Sequence, residues 1–169
     1  MDFLRGYRIV LGSGSPRRKA LLEALGISFE VQIKSIEETF PDSLKGAAIT
    51  DYIAKLKATP FLSELKNKDI LITSDTLVSH EGNALGKPNS AKEAKQMLRS
   101  LSGKAHQVIT SVCFSTNKKQ YVVNDTTTVF FKKFTDQEID YYIANFKPFD
   151  KAGAYGIQEW IGLVGVEKI

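Results

Sequence analysis

The stretch from Val10 to Leu22, VLGSGSPRRKALL, restricts this chain more than any other. An apolar strand from Arg8 to Leu11 runs into Gly12-Ser13-Gly14, after which Ser15 suits a helix N-cap and Pro16 the first helical position. Arg17 and Arg18 then fall in the first helical turn. There the positive end of the helix dipole and the unpaired N–H groups already favour negative charge. Such a strand, small-residue turn and basic helix start make a site for anions, with phosphate the obvious candidate. The competing reading is a well-capped turn whose arginines are solvated, since the pattern is not a Walker loop. The rest of the chain has to decide between them.

A chain of 169 residues, 43% of them apolar and 25% charged, is most simply one globular domain with a core of its own. No apolar run approaches the ~20 residues that would span a bilayer, so no membrane partner is expected. The N-terminal residues lack the apolar core and cleavage site of a signal peptide. The lone Cys113 fits a reducing compartment, and the expected location is cytoplasmic. A net charge of +4 favours anionic partners without choosing among nucleic acid, membrane and nucleotide.

Taken in order, Ala20, Leu21, Leu22 and Leu25 recur at helical spacing, and Gly26 ends that helix. Ile27 to Ile36 alternates as a second strand and finishes in Glu37-Glu38, a location that suits either a solvated edge or a metal ligand. Ser43 to Ala58 reads as a helix with Ala47, Ala48, Tyr52, Ile53 and Leu56 toward the core. Pro60 stops it, and a short helix follows through Leu65. Asp69 to Ser79 reads as a buried central strand carrying Thr73-Ser74-Asp75-Thr76 in mid-run. A carboxylate so placed needs hydrogen bonds, a cation or a raised pKa, the same means by which a general base or a metal ligand is prepared, so a functional role is favoured for Asp75.

His80 to Asn83 is a hairpin turn, and Leu85-Gly86-Lys87-Pro88 pins Lys87 beside the strand that bears Asp75. A helix over Ser90 to Leu101, capped by Asn89 or Ser90, precedes two alternating strands, Gln107 to Thr116 and Gln120 to Lys132. Thr135-Asp136-Gln137-Glu138 opens a further helix with a capping box. Pro148 to Gln158 mixes small residues with polar handles, as a loop that fits closely around a ligand must. Ile161 to Val166 reads as an unfinished strand. His80 and His106 lie far apart without cysteine partners, which argues against zinc, and no Gly-x-Ser-x-Gly elbow is present. Trp160 and the phenylalanines carry no nucleic-acid signature, so core packing accounts for them better.

Together these motifs resemble the Maf proteins, a family of nucleoside triphosphate pyrophosphatases once described as inhibitors of septum formation. The matching pieces are Ser13-Gly14-Ser15-Pro16-Arg17-Arg18 with Leu21-Leu22, Ile36-Glu37-Glu38, Ala54-x-x-Lys57-Ala58 and Ser74-Asp75-Thr76. They continue through Leu85-Gly86-Lys87-Pro88, the run from Met97 to Val108 that contains Leu101-Ser102-Gly103-Lys104-x-His106, and Asp150 to Gln158. They follow family order over almost the whole chain. The resemblance implies an α/β fold, a long twisted mixed sheet flanked by helices in two lobes, as in inosine triphosphate pyrophosphatases. It implies Asp75 as proton acceptor, Asp75 with Glu38 as ligands of a divalent cation (Mg²⁺ or Mn²⁺), and Ser13, Arg17, Arg18, Lys57 and Lys87 as contacts of the triphosphate.

In the branch that resembles dTTP/UTP pyrophosphatases an arginine follows Ser-Pro, a threonine follows the catalytic aspartate and a glutamine follows Tyr-Gly-Ile. Arg17, Thr76 and Gln158 match all three. The implied function is hydrolysis of dTTP and UTP to monophosphate and pyrophosphate, a clearance of unwanted nucleotides with a link to arrest of cell division. Relatives suggest a homodimer. Two other readings remain: a non-catalytic nucleotide-binding regulator of septum formation, and a basic nucleic-acid module, which would show strongly salt-dependent binding to polymer. Glu159-Trp160 stands where many relatives have glycine. The family's usual C-terminal segment is expected after Ile169 and is not in the sequence.

Overall fold

A computed structural model describes residues 4–169 of the chain. Strands and helices run in the order β1 (Arg8–Leu11), α1 (Pro16–Ala24), β2 (Glu30–Val31), α2 (Ala47–Ala58), β3 (Asp69–His80) and β4 (Asn83–Leu85). Then follow α3 (Ala91–Leu101), β5 (Ala105–Ser115), β6 (Gln120–Phe131), α4 (Asp136–Phe146), α5 (Trp160–Gly165) and β7 (Val166–Lys168). The strands form one mixed sheet in the order β2-β1-β3-β5-β6-β7, with β4 paired to β3. β1 is parallel to β2 and β3, whereas the β3–β4 and β6–β7 pairs are antiparallel. The α/β class and the mixed sheet expected from sequence are therefore present. The chain divides into two compact units, residues 1–75 with 110–125 and residues 76–109 with 126–169.

In the first unit the core lies on both faces of β1 and the start of β3. Val10, Leu71, Ala58 and Phe61 pack together, and Ile9, Leu11 and Ile72 form a second cluster with Leu22, Ile27 and Phe29 against it. Each fully buried aliphatic side chain of this kind contributes about 1.5–3 kcal/mol. Three details depart from the sequence reading. Helix α1 buries none of its residues, and Leu21 and Leu25 are exposed, so of its apolar stripe it is Leu22 that meets the core. The alternating segment from Ile27 keeps strand geometry only at Glu30 and Val31, because β1 ends at Leu11, whose carbonyl takes its last bond from Gln32 N–H. Helix α2 begins at Ala47 rather than Ser43, since Gly46 adopts φ 54° and ψ −128°, which is outside helical geometry. The later start goes with a rotated face: Ile49, Thr50, Ile53, Ala54 and Ala58 are buried and Tyr52 is exposed.

The second unit is built around Val78, Leu98, Leu101, Val129, Phe131, Ile139, Tyr142 and Ile161. Helix α3 is capped by Ser90, which accepts the Glu93 N–H, and α4 has the expected capping box of Thr135 and Glu138. The Glu138 carboxyl is held down to about 2 by its bond from Lys132 and by the Thr135 N–H. Ile161 to Val166 is not a strand: it forms α5, and pairing with β6 starts only at Val166. Glycine decides this. A Cβ on Gly162 would lie 1.9 Å from the Ile157 carbonyl oxygen, so this helix packs as it does only without a side chain there. Gly162→Ala should destabilise the protein by about 3 kcal/mol, the upper part of the overpacking range, read as a fall in denaturant midpoint. An unchanged midpoint would show that the helix shifts freely.

His106 is buried in this unit with Nε2 2.7 Å from the Tyr155 hydroxyl and its ring against Phe131. Burial, with a smaller contribution from His80, lowers its pKa to about 4. The unfolded chain therefore binds a proton that the folded chain refuses between about pH 6.5 and 4, and stability falls as pH drops through that window. From pH 7 to pH 5 the loss from this group should be about 2 kcal/mol. Denaturation of wild type and His106→Gln at both pH values checks it. An equal pH dependence in the two would exclude His106 as the source.

Candidate active site

Helix α2 is fixed against β3 by a side chain that the sequence reading left without a role. Thr73 donates its hydroxyl to the Ala54 carbonyl at 2.7 Å, a bond made possible by the absence of any bulk at Ala54, which is wholly buried. One turn further along α2 comes Lys57, and two residues further along the same face of β3 comes Asp75. Lys57 Nζ is 2.8 Å from Asp75 Oδ1 and 2.9 Å from Glu38 Oε2. Both side chains of the Lys57–Asp75 pair are largely withdrawn from solvent, while Glu38 is half exposed.

The strand-to-helix turn lies in the same unit. Gly12 N–H donates to the Ile72 carbonyl at 2.8 Å, and a Cβ there would meet Thr73 Cγ2 at 2.8 Å, so glycine is what lets the turn leave β1 close over β3. Ser13 Oγ accepts from the Ser15 N–H at 3.2 Å and from Arg18 Nη1 at 3.3 Å. Ser15 occupies the N-cap position without a side-chain cap bond, and Pro16 opens the helix as expected. Burial lowers the Arg18 pKa; the charges of Asp75 and Glu38 act against that, and Arg17 adds to it. Ser13, Arg18, Glu38, Lys57 and Asp75 are thus gathered into one mixed-charge group, with Arg17 exposed beside it on α1.

Two carboxylate oxygens converging on one ammonium are also the hard donors that a small divalent cation accepts together with water and phosphate oxygens. The residues fit such an ion to that extent, and no group of three metal-ligating side chains occurs among the described residues.

Thr76, Lys87 and Gln158 belong to the second unit. Thr76 is half-buried on β3, and Lys87 and Gln158 are exposed. The hairpin that carries Lys87 turns at Glu81-Gly82, both with positive φ, and pairs Val78 with Leu85 and His80 with Asn83. The carbonyl of Gly86, next to Lys87, accepts the Gly153 N–H at 3.0 Å. That bond brings the Lys87 segment and the loop leading to Gln158 together. Gln158 itself lies in a turn closed by Glu159 N–H to the Gly156 carbonyl at 3.0 Å. Sequence reasoning missed the groups that hold this turn, Tyr142, Lys151 and Glu159. The signal that could have found them is a lysine and a glutamate flanking a glycine-rich loop, with a tyrosine on the apolar face of the preceding helix.

The sequence of the chain matches the Maf-like proteins over residues 8–169, and the chain belongs to that family. It is 51% identical to a protein named dTTP/UTP pyrophosphatase from Flavobacterium johnsoniae over 98% of this chain and 86% of that one. A protein of the same name from Flavobacterium psychrophilum is 53% identical, covering 96% of this chain and 83% of its own. Among solved structures the Staphylococcus aureus Ham1 protein shares the fold, with a TM-score of 0.53, 15% identity and coverage of 73% and 71% of the two chains.

Proposed function

We propose that this chain hydrolyses nucleoside triphosphates, dTTP and UTP foremost, to nucleoside monophosphate and pyrophosphate. The observation that carries the reading is Lys57 held between Asp75 and Glu38 in the group that also contains Ser13 and Arg18. It combines a base, a paired carboxylate and fixed positive charge, the three needs of an attack by water on a phosphate ester anhydride. The name shared by the Flavobacterium relatives supports the same activity and the same two substrates. The regulator reading draws no support from them.

In this mechanism Asp75 accepts the proton of the attacking water as its oxygen bonds to the α-phosphorus. The bond from that phosphorus to the bridging oxygen of the β-phosphate breaks, and pyrophosphate leaves. Ser13, Arg17, Arg18 and Lys57 bind the triphosphate, and Lys87 is assigned the charge that builds on the leaving pyrophosphate. Glu38 and Asp75 would hold Mg²⁺ or Mn²⁺, which when bound neutralises phosphate charge. Thr76 sits beside the base. Gln158, with an amide that both donates and accepts, reads the carbonyl and N3–H of the pyrimidine edge. We place the enzyme in the cytoplasm as a homodimer acting on free nucleotides rather than on nucleic acid. Among the described residues no helix is long and apolar enough to cross a membrane.

Pyrophosphate release across a panel of nucleoside triphosphates, with Mg²⁺ or Mn²⁺, tests the activity and its substrates together. Absence of release from every one would overturn the proposal. Gln158→Ala should lower kcat/KM for dTTP and UTP by the equivalent of about 1–3 kcal/mol, because it leaves polar base edges unpaired. GTP should lose less. Equal losses for all nucleotides would assign Gln158 to the loop or the phosphates instead.

A further inference from the structure

The turn from Gly156 to Glu159, with Gln158 near its tip, is held at both ends by one oxygen. The Tyr142 hydroxyl, on a fully buried ring of α4, accepts the Gly156 N–H at 3.0 Å and donates to Glu159 Oε2. The other carboxylate oxygen, Glu159 Oε1, lies 3.1 Å from Lys151 Nζ. That lysine side chain is 8% exposed, and it reaches Asp150 Oδ1 at 2.6 Å as well. A Cβ on Gly156 would fall 2.9 Å from Glu159 Cδ, so a side chain there would push the Glu159 carboxylate away from Tyr142. Burial and the neighbouring Glu159 raise the Tyr142 pKa, so the hydroxyl keeps its proton and stays a donor.

Withdrawing a lysine and a carboxylate from water costs several kcal/mol per ion before their attraction is counted, and apolar side chains of similar volume pack as stably. What such a network supplies in return is one fixed arrangement. Here the element it fixes is the exposed tip of a turn whose last residue, Glu159, also begins α5. Paired amide hydrogen bonds to a base require placement within about 0.5 Å.

We propose that Tyr142, with Glu159 and Lys151, is the positioning device for the Gln158 turn, and that base selectivity depends on it. The inference rests on the base-reading role given to Gln158 above. Tyr142 touches no substrate atom; it acts by holding the two ends of the turn at a set separation.

The test uses Tyr142→Phe, which removes the oxygen and keeps the ring, alongside Glu159→Ala and the conservative Glu159→Gln. Hydrogen exchange should show the Gly156 amide exchanging at least about tenfold faster in Tyr142→Phe, as expected for loss of one protein hydrogen bond. The ratio of kcat/KM for UTP to that for GTP should fall about tenfold in Tyr142→Phe and Glu159→Ala, with the GTP value nearly unchanged. Glu159→Gln, which retains an acceptor for Tyr142, should recover part of the ratio. Unchanged Gly156 exchange, or faster exchange with an unchanged UTP to GTP ratio, would overturn the proposal. If Tyr142→Phe does not fold, Glu159→Ala leaves the core ring and the Gly156 bond in place, and its UTP to GTP ratio decides: an unchanged ratio overturns the proposal. If Gln158→Ala leaves wild-type selectivity intact, the base-reading role alone falls, and the exchange data still decide whether Tyr142 holds the turn.

Discussion

Asp75→Asn should turn over dTTP and UTP about 10²–10⁴-fold more slowly than wild type while still binding them, the range lost when a positioned general base is removed. The substitution is nearly isosteric. An asparagine oxygen can accept from Lys57 across the 2.8 Å that the carboxylate now spans, so the local packing of α2 on β3 survives. What goes is the capacity to take a proton from water and one negative charge from the pair with Glu38. Removing that charge also lessens repulsion toward a polyphosphate, so KM should stay the same or fall. Single-turnover pyrophosphate release separates the chemical step from product release, and calorimetry with the variant gives binding directly. A variant that kept a tenth of the wild-type rate under saturating Mg²⁺ would show that the base is another group.

How far the sequence anticipates this arrangement depends on whether local chemistry or tertiary contact sets each feature. The Gly12 to Pro16 turn, the capping box at Thr135 and the hairpin at Glu81-Gly82 are local, and each is where the residues put it. Asp75 could be singled out because a carboxylate inside an apolar strand is a cost visible in the sequence. Its ion pair with Lys57 is set by tertiary contact. Lys57 reaches Asp75 because Thr73 bonds to the Ala54 carbonyl, a contact between residues far apart in the chain that no periodicity reveals. The rotated face of α2 has the same origin: Gly46 sets where the helix starts, and tertiary contact sets which side is buried. The apolar run at Ile161 has a strand-like composition, but its two glycines pack against the Ile157 backbone and the Phe134 ring, and those neighbours turn it into α5. Tyr142 reads from sequence as one more core aromatic, since a hydroxyl's partners on a later loop leave no trace in helical spacing.

Lys57→Met should lower kcat/KM for dTTP and UTP about 10²–10³-fold, the loss that follows removal of one fixed donor aimed at developing phosphate charge. Methionine keeps much of the length and apolar stem, so packing between α2 and β3 is disturbed little. The charge is the variable. In wild type a single ammonium lies 2.8 Å from Asp75 and 2.9 Å from Glu38 and holds two carboxylates at a separation they would not keep alone. Without it the half-exposed Glu38 is free to swing into solvent, whereas Asp75, on β3, stays where the strand places it. Lys57→Arg restores the charge but spreads it over a planar fork that cannot present one nitrogen to both oxygens in the same way. It should therefore recover nucleotide binding better than turnover. The measurement is kcat and KM for UTP in wild type, Lys57→Met and Lys57→Arg, with thermal unfolding of each to confirm the fold. Full turnover in Lys57→Arg would reduce Lys57 to a source of positive charge. Full turnover in Lys57→Met would remove it from the reaction altogether, and the bridge between Asp75 and Glu38 would then be a structural ion pair.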